Sequence, residues 1–254
     1  VFPGGARIRP RLCLAVAMAC GDSDPALADR AAAAIELLHC ASLVHDDLPC
    51  FDDSHLRRGR PSVHAAFGEP LAVLAGDALI VLAFQALGAP PHIHPQRLPA
   101  LVGIVARAAG APHGITAGQA WESEPKPDLK AYHLAKTAAL FSAATEAGAC
   151  AAGVPHATWG NLGACLGEAY QVGDDLRDVV STAAEIGKPV HKDAALMRPT
   201  AVQVHGLSGA IAYLRDLIDQ AVGSIPDIPA AAALRDLIRA EAGRFVPKEL
   251  RQAA

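Results

Sequence analysis

Two groups of aspartates are the residues of this chain that could most readily do chemistry together. They are Asp46, Asp47 and Asp52 in the first group, and Asp174, Asp175 and Asp178 in the second. Carboxylates this close together repel one another by about 1 kcal/mol per pair in water and by about 4 kcal/mol at an effective dielectric of about 20. A divalent cation offsets this repulsion, and Mg2+ is usually held by one or two carboxylates together with substrate phosphates. Two such groups facing each other therefore predict a diphosphate bound between them through Mg2+.

The second group fits a helix. Gln171, Asp174 and Asp178 are spaced i, i+3 and i+7, so they share one helical stripe, and Asp175 lies on its flank. The alternative is an acidic face in solvent. The positions around these residues are mostly apolar, which favours a helix whose acidic stripe points into a cavity.

The first group does not fit a continuous helix. On such a helix Asp46 and Asp52 would lie about 240° apart. Pro49 disfavours helical geometry at Leu48 and breaks the backbone hydrogen-bond pattern. We therefore expect the chain to turn here and to bring Asp52 back towards Asp46.

Basic residues follow this turn directly. Guanidinium groups bind phosphate through two parallel hydrogen bonds and keep their charge, so Arg57 and Arg58 suit a diphosphate site. The alternative is an ordinary acidic and basic surface loop. The combination of a carboxylate cluster with two adjacent arginines favours the diphosphate site.

The whole sequence reads as one all-α domain spanning residues 1–254. With 52% hydrophobic and 19% charged residues, the chain can bury a large core, and no linker or repeat divides it. Convincing period-two strands are absent from the sequence. Capping residues and first-turn prolines predict three long helices, from Asp24-Pro25 to about Leu48, from Asp128 to about Cys150 and from Pro155 to about Val180.

Composition also excludes some classes of protein. A net charge of -4 argues against a nucleic-acid surface. The segment from Leu71 to Ala89 is almost wholly apolar, but Asp77 and Gln85 interrupt it, which favours a buried helix over a membrane span. The six cysteines show neither a CxxC pair nor zinc-type spacing, so we expect buried thiols in a reducing cytoplasm.

Taken together, these motifs resemble those of the trans-isoprenyl diphosphate synthases. Residues 45–79 are similar to the first aspartate-rich region of that family, and residues 171–178 to the second. Further landmarks follow in the family's order, namely Gly4-Gly5 with Arg9, Gly118-Gln119, Lys136-Thr137, and Gly187-Lys188 with Asp193. The resemblance covers nearly the whole chain and implies an isoprenoid synthase helical bundle around a central cavity.

The resemblance also implies an activity and its residues. It implies a homodimeric, Mg2+-dependent prenyltransferase that condenses isopentenyl diphosphate with an allylic diphosphate. Three Mg2+ ions are expected on Asp46, Asp47, Asp52, Asp174 and Asp178, with Asp175 in support. The allylic diphosphate is expected on Arg57, Lys136, Thr137, Gln171 and Lys188. Isopentenyl diphosphate is expected on Arg9, His39 and Arg58, with Arg198 keeping the charge of the lysine usual at its position.

Product length is expected to depend on Ala41 and Ser42. In the resembling family the residues four and five before the first aspartate help to form the floor of the product tunnel. Small side chains there favour a deep tunnel and the twenty-carbon product, geranylgeranyl diphosphate. The alternative is that Phe84 or Phe141 blocks the tunnel and the product has fifteen carbons, as in a farnesyl diphosphate synthase.

Some positions depart from the family pattern. Ala6 replaces a lysine expected on isopentenyl diphosphate, which Arg7 is placed to offset, and Ser54 and His55 replace common acids. The sequence starts at Val1, and an N-terminal helical segment is expected to be missing. These departures sustain the alternative of a non-catalytic partner subunit, although such subunits typically lose aspartates. A class I terpene cyclase and a head-to-head condensing enzyme need differently spaced metal ligands.

Overall fold

The computed structural model describes residues 5–91, 93–122, 124, 128–180, 200–247 and 250. In this part of the chain nearly all regular structure is helical, which confirms the predicted all-α class. The helices are α1 (Ile8–Ala19), α2 (Pro25–Asp46), α3 (Val63–Phe67), α4 (Glu69–Gly88), α5 (Leu98–Ala109), α6 (Ile115–Trp121), α7 (Leu129–His133), α8 (Ala139–Ala152), α9 (Gly160–Val180), α10 (Ala201–Gly223) and α11 (Ala231–Ala242). Two short strands, β1 (Leu56–Arg57) and β2 (Arg60–Pro61), pair antiparallel.

The predicted helix starts are largely confirmed by their caps. Asp24 accepts the backbone N–H of Leu27 at 3.1 Å, and Asp128 accepts that of Ala131 at 2.7 Å. The third helix begins later than expected, because a 3-10 turn at Ala157–Trp159 separates Pro155 from the start of α9.

A π turn interrupts the second of these helices. Residues Leu134–Ala138 form it between α7 and α8, so the backbone winds continuously from 129 to 152. Such turns are rare and often lie at functional sites. Here the turn carries Lys136 and Thr137, two residues that the family resemblance implies at the allylic diphosphate.

Helix α8 lies at the centre of the bundle and packs against α1, α2, α5 and α9. Small residues let these helices approach closely. A side chain at Gly148 would meet the backbone carbonyl of Cys13, and one at Gly163 would meet the backbone of Phe141. Phe141 is fully buried, and burying such a side chain stabilises the fold by about 1.5–3 kcal/mol.

Helix α4 is far more exposed than the sequence suggested. It packs on α2 along one face, while Leu71, Leu74, Val81 and Leu82 are 45–62% exposed. By length and composition alone α4 could cross a membrane, and 22% of its most apolar window is buried within this chain. The expectation of a helix buried in its own chain is therefore wrong for the outer face.

The strands form a hairpin that the sequence analysis did not anticipate. Arg58 (φ 53°) and Gly59 (φ 73°) both adopt left-handed conformations, as the tight two-residue turn of a hairpin requires. Each strand is only two residues long, too short to show an alternating pattern. The hairpin projects Arg57 towards the first aspartate group.

Candidate active site

The first aspartate group forms where α2 ends. The backbone N–H of Asp52 donates to the carbonyl of Asp46 at 2.9 Å, and that of Ser54 donates to the carbonyl of Asp47 at 3.1 Å. The turn predicted at Pro49 is thus confirmed, and it returns Asp52 to Asp46.

Arg57 neutralises part of this group. Its Nε donates to both carboxylate oxygens of Asp47 at 3.0 and 3.2 Å, and its Nη2 donates to Asp47 and, at 3.3 Å, to Asp46. Asp47 is only 3% exposed. Burial raises the pKa of Asp47, although the hydrogen bonds and charge of Arg57 act in the opposite direction.

Glu122 joins this cluster, and the sequence analysis missed it. One carboxylate oxygen from each of Asp46, Asp52 and Glu122 lies within 4.8 Å of the others. Glu122 accepts hydrogen bonds from Lys136, from the Tyr132 hydroxyl at 2.6 Å and from Gln119 Nε2 at 3.0 Å. Lys136 Nζ also lies 3.4 Å from Asp46, so it connects the two carboxylates.

A glycine makes this arrangement possible. A side chain at Gly118 would overlap the backbone of Lys136, so glycine lets α6 pack directly on the π turn. Glu122 lies three residues after Gln119, the helical spacing that puts two side chains on one face. That spacing from the Gly118-Gln119 motif is the sequence signal that would have identified Glu122.

The second aspartate group lies on α9, as predicted, and its members have different surroundings. Asp174 pairs with Arg177. Asp175 is 3% exposed and accepts the Gln171 side-chain amide at 3.1 Å and the backbone N–H of Ala201 at 2.7 Å. Asp175 therefore holds the first residue of α10, and its part in metal binding stays a prediction. Asp178 lies one turn further along α9 and is partly exposed.

The π turn joins the two groups. Lys136 reaches Asp46 in the first group, while the Thr137 hydroxyl donates to Gln171 Oε1 at 3.0 Å. Gln171 in turn contacts Asp175 in the second group. Two adjacent residues thus contact the first group directly and the second group through Gln171.

Three arginines make the surroundings of His39 on α2 cationic. The Arg9 guanidinium lies 4.5 Å from the Phe141 ring centroid, and its buried Nε has no hydrogen-bond partner among the described residues. Burial, followed by the charges of Arg9, Arg58 and Arg57, holds the pKa of His39 well below 6.5, so its ring is neutral at pH 7. Arg9, His39 and Arg58, the expected isopentenyl diphosphate residues, thus lie close enough to influence one another.

Some expected residues cannot be placed in this site. Lys188 and Arg198 lie outside the described residues, as do the landmarks Gly4, Gly187 and Asp193. Arg7, expected to offset Ala6, is exposed just before α1.

The expected tunnel floor lies within α2. Ala41 is 1% exposed, and the Ser42 hydroxyl donates to the His39 carbonyl at 2.8 Å. Phe141 is enclosed in the core beside α9 beneath Arg9, whereas Phe84 on α4 is partly buried against the helices on the α2 side. The roles of Ala41 and Ser42 in product length stay predictions.

Comparisons with known proteins agree on one family. Residues 1–234 match the Polyprenyl synthetase family. The geranylgeranyl diphosphate synthase of Cereibacter sphaeroides is 54% identical over 250 residues, which cover 98% of this chain and 87% of that protein. That of Rhodobacter capsulatus is 50% identical over 246 residues, covering 97% and 85%. A crystal structure of a Helicobacter pylori geranyltransferase complexed with magnesium and isoprenyl diphosphate matches with a TM-score of 0.81 and 32% identity, covering 95% of this chain and 84% of that one.

Proposed function

The chain belongs to the polyprenyl synthetase family, and from that premise we propose that it is a geranylgeranyl diphosphate synthase. It is a prenyltransferase that condenses isopentenyl diphosphate with an allylic diphosphate. The observation that carries this assignment is 54% identity to such a synthase along almost the whole chain. The two aspartate groups, connected through Lys136 and Thr137, supply the matching site.

The first group suits Mg2+ by its donor chemistry. Asp46, Asp52 and Glu122 offer converging carboxylate oxygens, the hard ligands that Mg2+ prefers. Asp174 and Asp178 are the proposed ligands on the second group, and the proposed number of ions is three. Bound Mg2+ would neutralise the charge that builds on the departing diphosphate.

The proposed roles of the protein in the reaction are to stabilise charge and to exclude water. In the condensation the allylic carbon–oxygen bond breaks, its electron pair leaves with diphosphate, and the isopentenyl double bond attacks the allylic carbon. Arg57 and Lys136 already point at the carboxylate cluster, so little reorganisation is needed to stabilise the leaving group. The surrounding apolar helices keep water from the allylic cation. The adduct then loses a proton, for which the released diphosphate is the proposed base.

We propose that the small residues Ala41 and Ser42 on α2 permit the twenty-carbon product. An aromatic ring at position 41 would occupy space that a growing chain is proposed to use. We expect Ala41→Phe to shorten the product to fifteen carbons or fewer, measured by mass spectrometry. Because Ala41 is buried, circular dichroism must first show that the variant folds, and Ala41→Val serves as the milder control. An unchanged product from a folded variant would place the floor elsewhere, with Phe84 as the next position to test.

Two copies of the chain are proposed to associate through α4. Its outer face exposes Leu71, Leu74, Val81 and Leu82, an unusually apolar surface for a monomer in water. From the family resemblance, we expect a second copy of the chain to cover this face of α4. We propose the cytoplasm as the location of the protein. Leu74→Glu should shift the mass measured by light scattering from dimer to monomer, while Met18→Glu, at an exposed position of α1, should not. If the mass of the wild-type protein depends on added detergent, a membrane surface would instead be the favoured occupant of this face of α4.

One assay tests the activity and the product together. The purified chain is incubated with Mg2+, isopentenyl diphosphate and, separately, dimethylallyl, geranyl or farnesyl diphosphate, and the products are identified by mass spectrometry. A twenty-carbon product is expected. A fifteen-carbon product would keep the reaction and make the protein a farnesyl diphosphate synthase. If the chain is inactive by itself but active when mixed with a homologous synthase, it would be a partner subunit.

A further inference from the structure

A different set of metal-ligand side chains lies just beyond the first aspartate group. One potential ligand atom from each of Asp53, His55 and His64 lies within 4.8 Å of the others. Unlike the cluster around Asp46, this set includes two imidazoles. Asp53 and His55 are exposed, whereas the His64 side chain is only 6% exposed.

The fold brings these three residues together from both sides of the hairpin. The Asp53 N–H donates to the Leu48 carbonyl at 3.0 Å, and the Ser62 N–H donates to the His55 carbonyl at 3.0 Å. This second bond closes the hairpin and sets His55 beside the first turn of α3, where His64 lies. The two imidazole ring centroids are 5.4 Å apart.

His64 is oriented as a ligand would be. Its Nδ1 lies 3.1 Å from the Ser62 hydroxyl, a partner that can fix the ring and its tautomer. Its Nε2 is buried and has no hydrogen-bond partner among the described residues, which is uncommon for a buried polar atom. The nearest carboxylate oxygen, from Asp53, is 3.9 Å away, too far for a hydrogen bond but on the same side as the cluster.

We propose that Asp53, His55 and His64 bind a transition-metal cation of the zinc class. Two imidazole nitrogens and one carboxylate, with water in the fourth position, are a ligand set that suits zinc in tetrahedral geometry. The three ligand atoms now lie within 4.8 Å of one another. Metal–ligand distances of about 2.0–2.2 Å require them to move closer together. Asp53 and His55 are exposed and have room to make that movement.

The ion would act on the hairpin rather than on the reaction directly. Its ligands lie on both sides of β1 and β2, so binding would fix the segment that carries Arg57 and Arg58. The site differs from the Mg2+ site in chemistry, because nitrogen donors favour zinc over magnesium. The proposal therefore stands or falls independently of the proposed activity.

Cobalt titration tests the site with a readout that does not depend on activity. Metal-free protein in excess Mg2+ is titrated with Co2+, followed by visible absorption and calorimetry, and Zn2+ is then added as a competitor. We expect one Co2+ with the strong absorption of tetrahedral nitrogen-containing ligation, displaced by Zn2+. His55→Asn and Asp53→Asn should each weaken binding by more than about tenfold. His113→Asn, at another exposed histidine, should leave binding unchanged.

The variants also provide a test of specificity. Both altered ligands are exposed, so folding should survive and circular dichroism can verify it. His55→Asp retains three ligands but removes one nitrogen, and it should lower the affinity for Zn2+ more than that for Mn2+. Zn2+ should raise the melting temperature of the wild type but not that of His55→Asn. Equal cobalt affinity and spectra in the wild type, His55→Asn and Asp53→Asn would overturn the proposal, as would binding abolished only by Asp46→Asn.

Discussion

In both aspartate groups, two adjacent aspartates differ in how far they are buried. In each group the first aspartate of the pair, Asp46 or Asp174, stays partly open, with side-chain exposures of 13% and 37%. The second, Asp47 or Asp175, is buried and bonded to protein groups. Adjacent aspartates thus differ in exposure: the first keeps some side-chain surface open to solvent while pairing with basic residues, and the second is enclosed by protein groups.

The groups differ in what the buried aspartate holds. Asp47 lies in a loop and binds Arg57, ten residues further along the chain, so it fastens a local hairpin. Asp175 lies within a helix and binds the N-terminus of α10, which starts 26 residues later. One aspartate therefore organises a nearby side chain, and the other joins two helices that are distant in sequence.

The largest expected effect comes from the open aspartates. Asp46→Ala and Asp174→Ala should each lower kcat by about 10²–10³-fold or more, because each removes a group proposed to stabilise the leaving diphosphate through metal. Steady-state kinetics with saturating Mg2+ measures the loss. The exposed Asp236→Ala is the control and should retain wild-type turnover. If either variant keeps its fold and its normal turnover, the open aspartate at that position is not needed for the reaction.

The buried aspartates should instead affect stability, and to unequal extents. Asp175→Asn turns a carboxylate that accepts two N–H groups into an amide that can satisfy only one, which should lower the free energy of unfolding by about 1–3 kcal/mol. Asp47→Asn should cost less than about 1 kcal/mol, because Arg57 keeps Asp46 as a partner and one acceptor remains at position 47. Chemical denaturation measures both values.

Turnover of the same two variants sharpens this distinction. If Asp175 mainly holds α10, its asparagine variant should lose much less activity than Asp174→Ala when both are assayed well below the unfolding transition. A variant of unchanged stability but with turnover as low as that of Asp174→Ala would identify Asp175 as a direct metal ligand. The two buried aspartates would then have different functions.

The sequence predicted one group better than the other because of where their partners lie. The turn at Pro49 follows from local backbone rules, and Asp52 returns to Asp46 as expected. The bond from Asp175 to Ala201 is long-range, so no local pattern could reveal it. Glu122 was missed because its spacing from Gln119 was not used, and its partners Lys136 and Asp46 are distant from it in sequence.

Other parts of the fold were beyond sequence reasoning for similar reasons. The π turn at Lys136 keeps the overall apolar pattern of a helix, so periodicity does not separate it from the α-helix expected from Asp128 to Cys150. The apolar character of α4 predicts burial but does not say by what, since a second chain covers such a surface as well as the protein's own core does. Capping residues and first-turn prolines were sufficient to predict the helical class and most helix starts.

The last expected effect, which develops only as the pH falls below about 6.5, concerns the charges around His39. Burial and the nearby Arg9, Arg58 and Arg57 lower the pKa of His39 in the folded protein, while the unfolded chain keeps a value near 6.5. The unfolded state therefore binds the proton more readily, and the stability that comes from neutral His39 is present above pH 6.5 and is lost as the pH falls below it. The slope for one proton is at most about 1.4 kcal/mol per pH unit.

His39→Gln should remove this part of the pH dependence. Denaturation curves between pH 7.5 and pH 5.5 should show a shallower decline for the variant than for the wild type, and His113→Asn should follow the wild type. Inorganic diphosphate should also flatten the wild-type curve, because an anion bound near Arg9 and Arg58 offsets the charge that keeps His39 neutral. Identical slopes in the wild type and His39→Gln would mean that neither burial nor the neighbouring arginines lower the pKa of His39 in the folded protein.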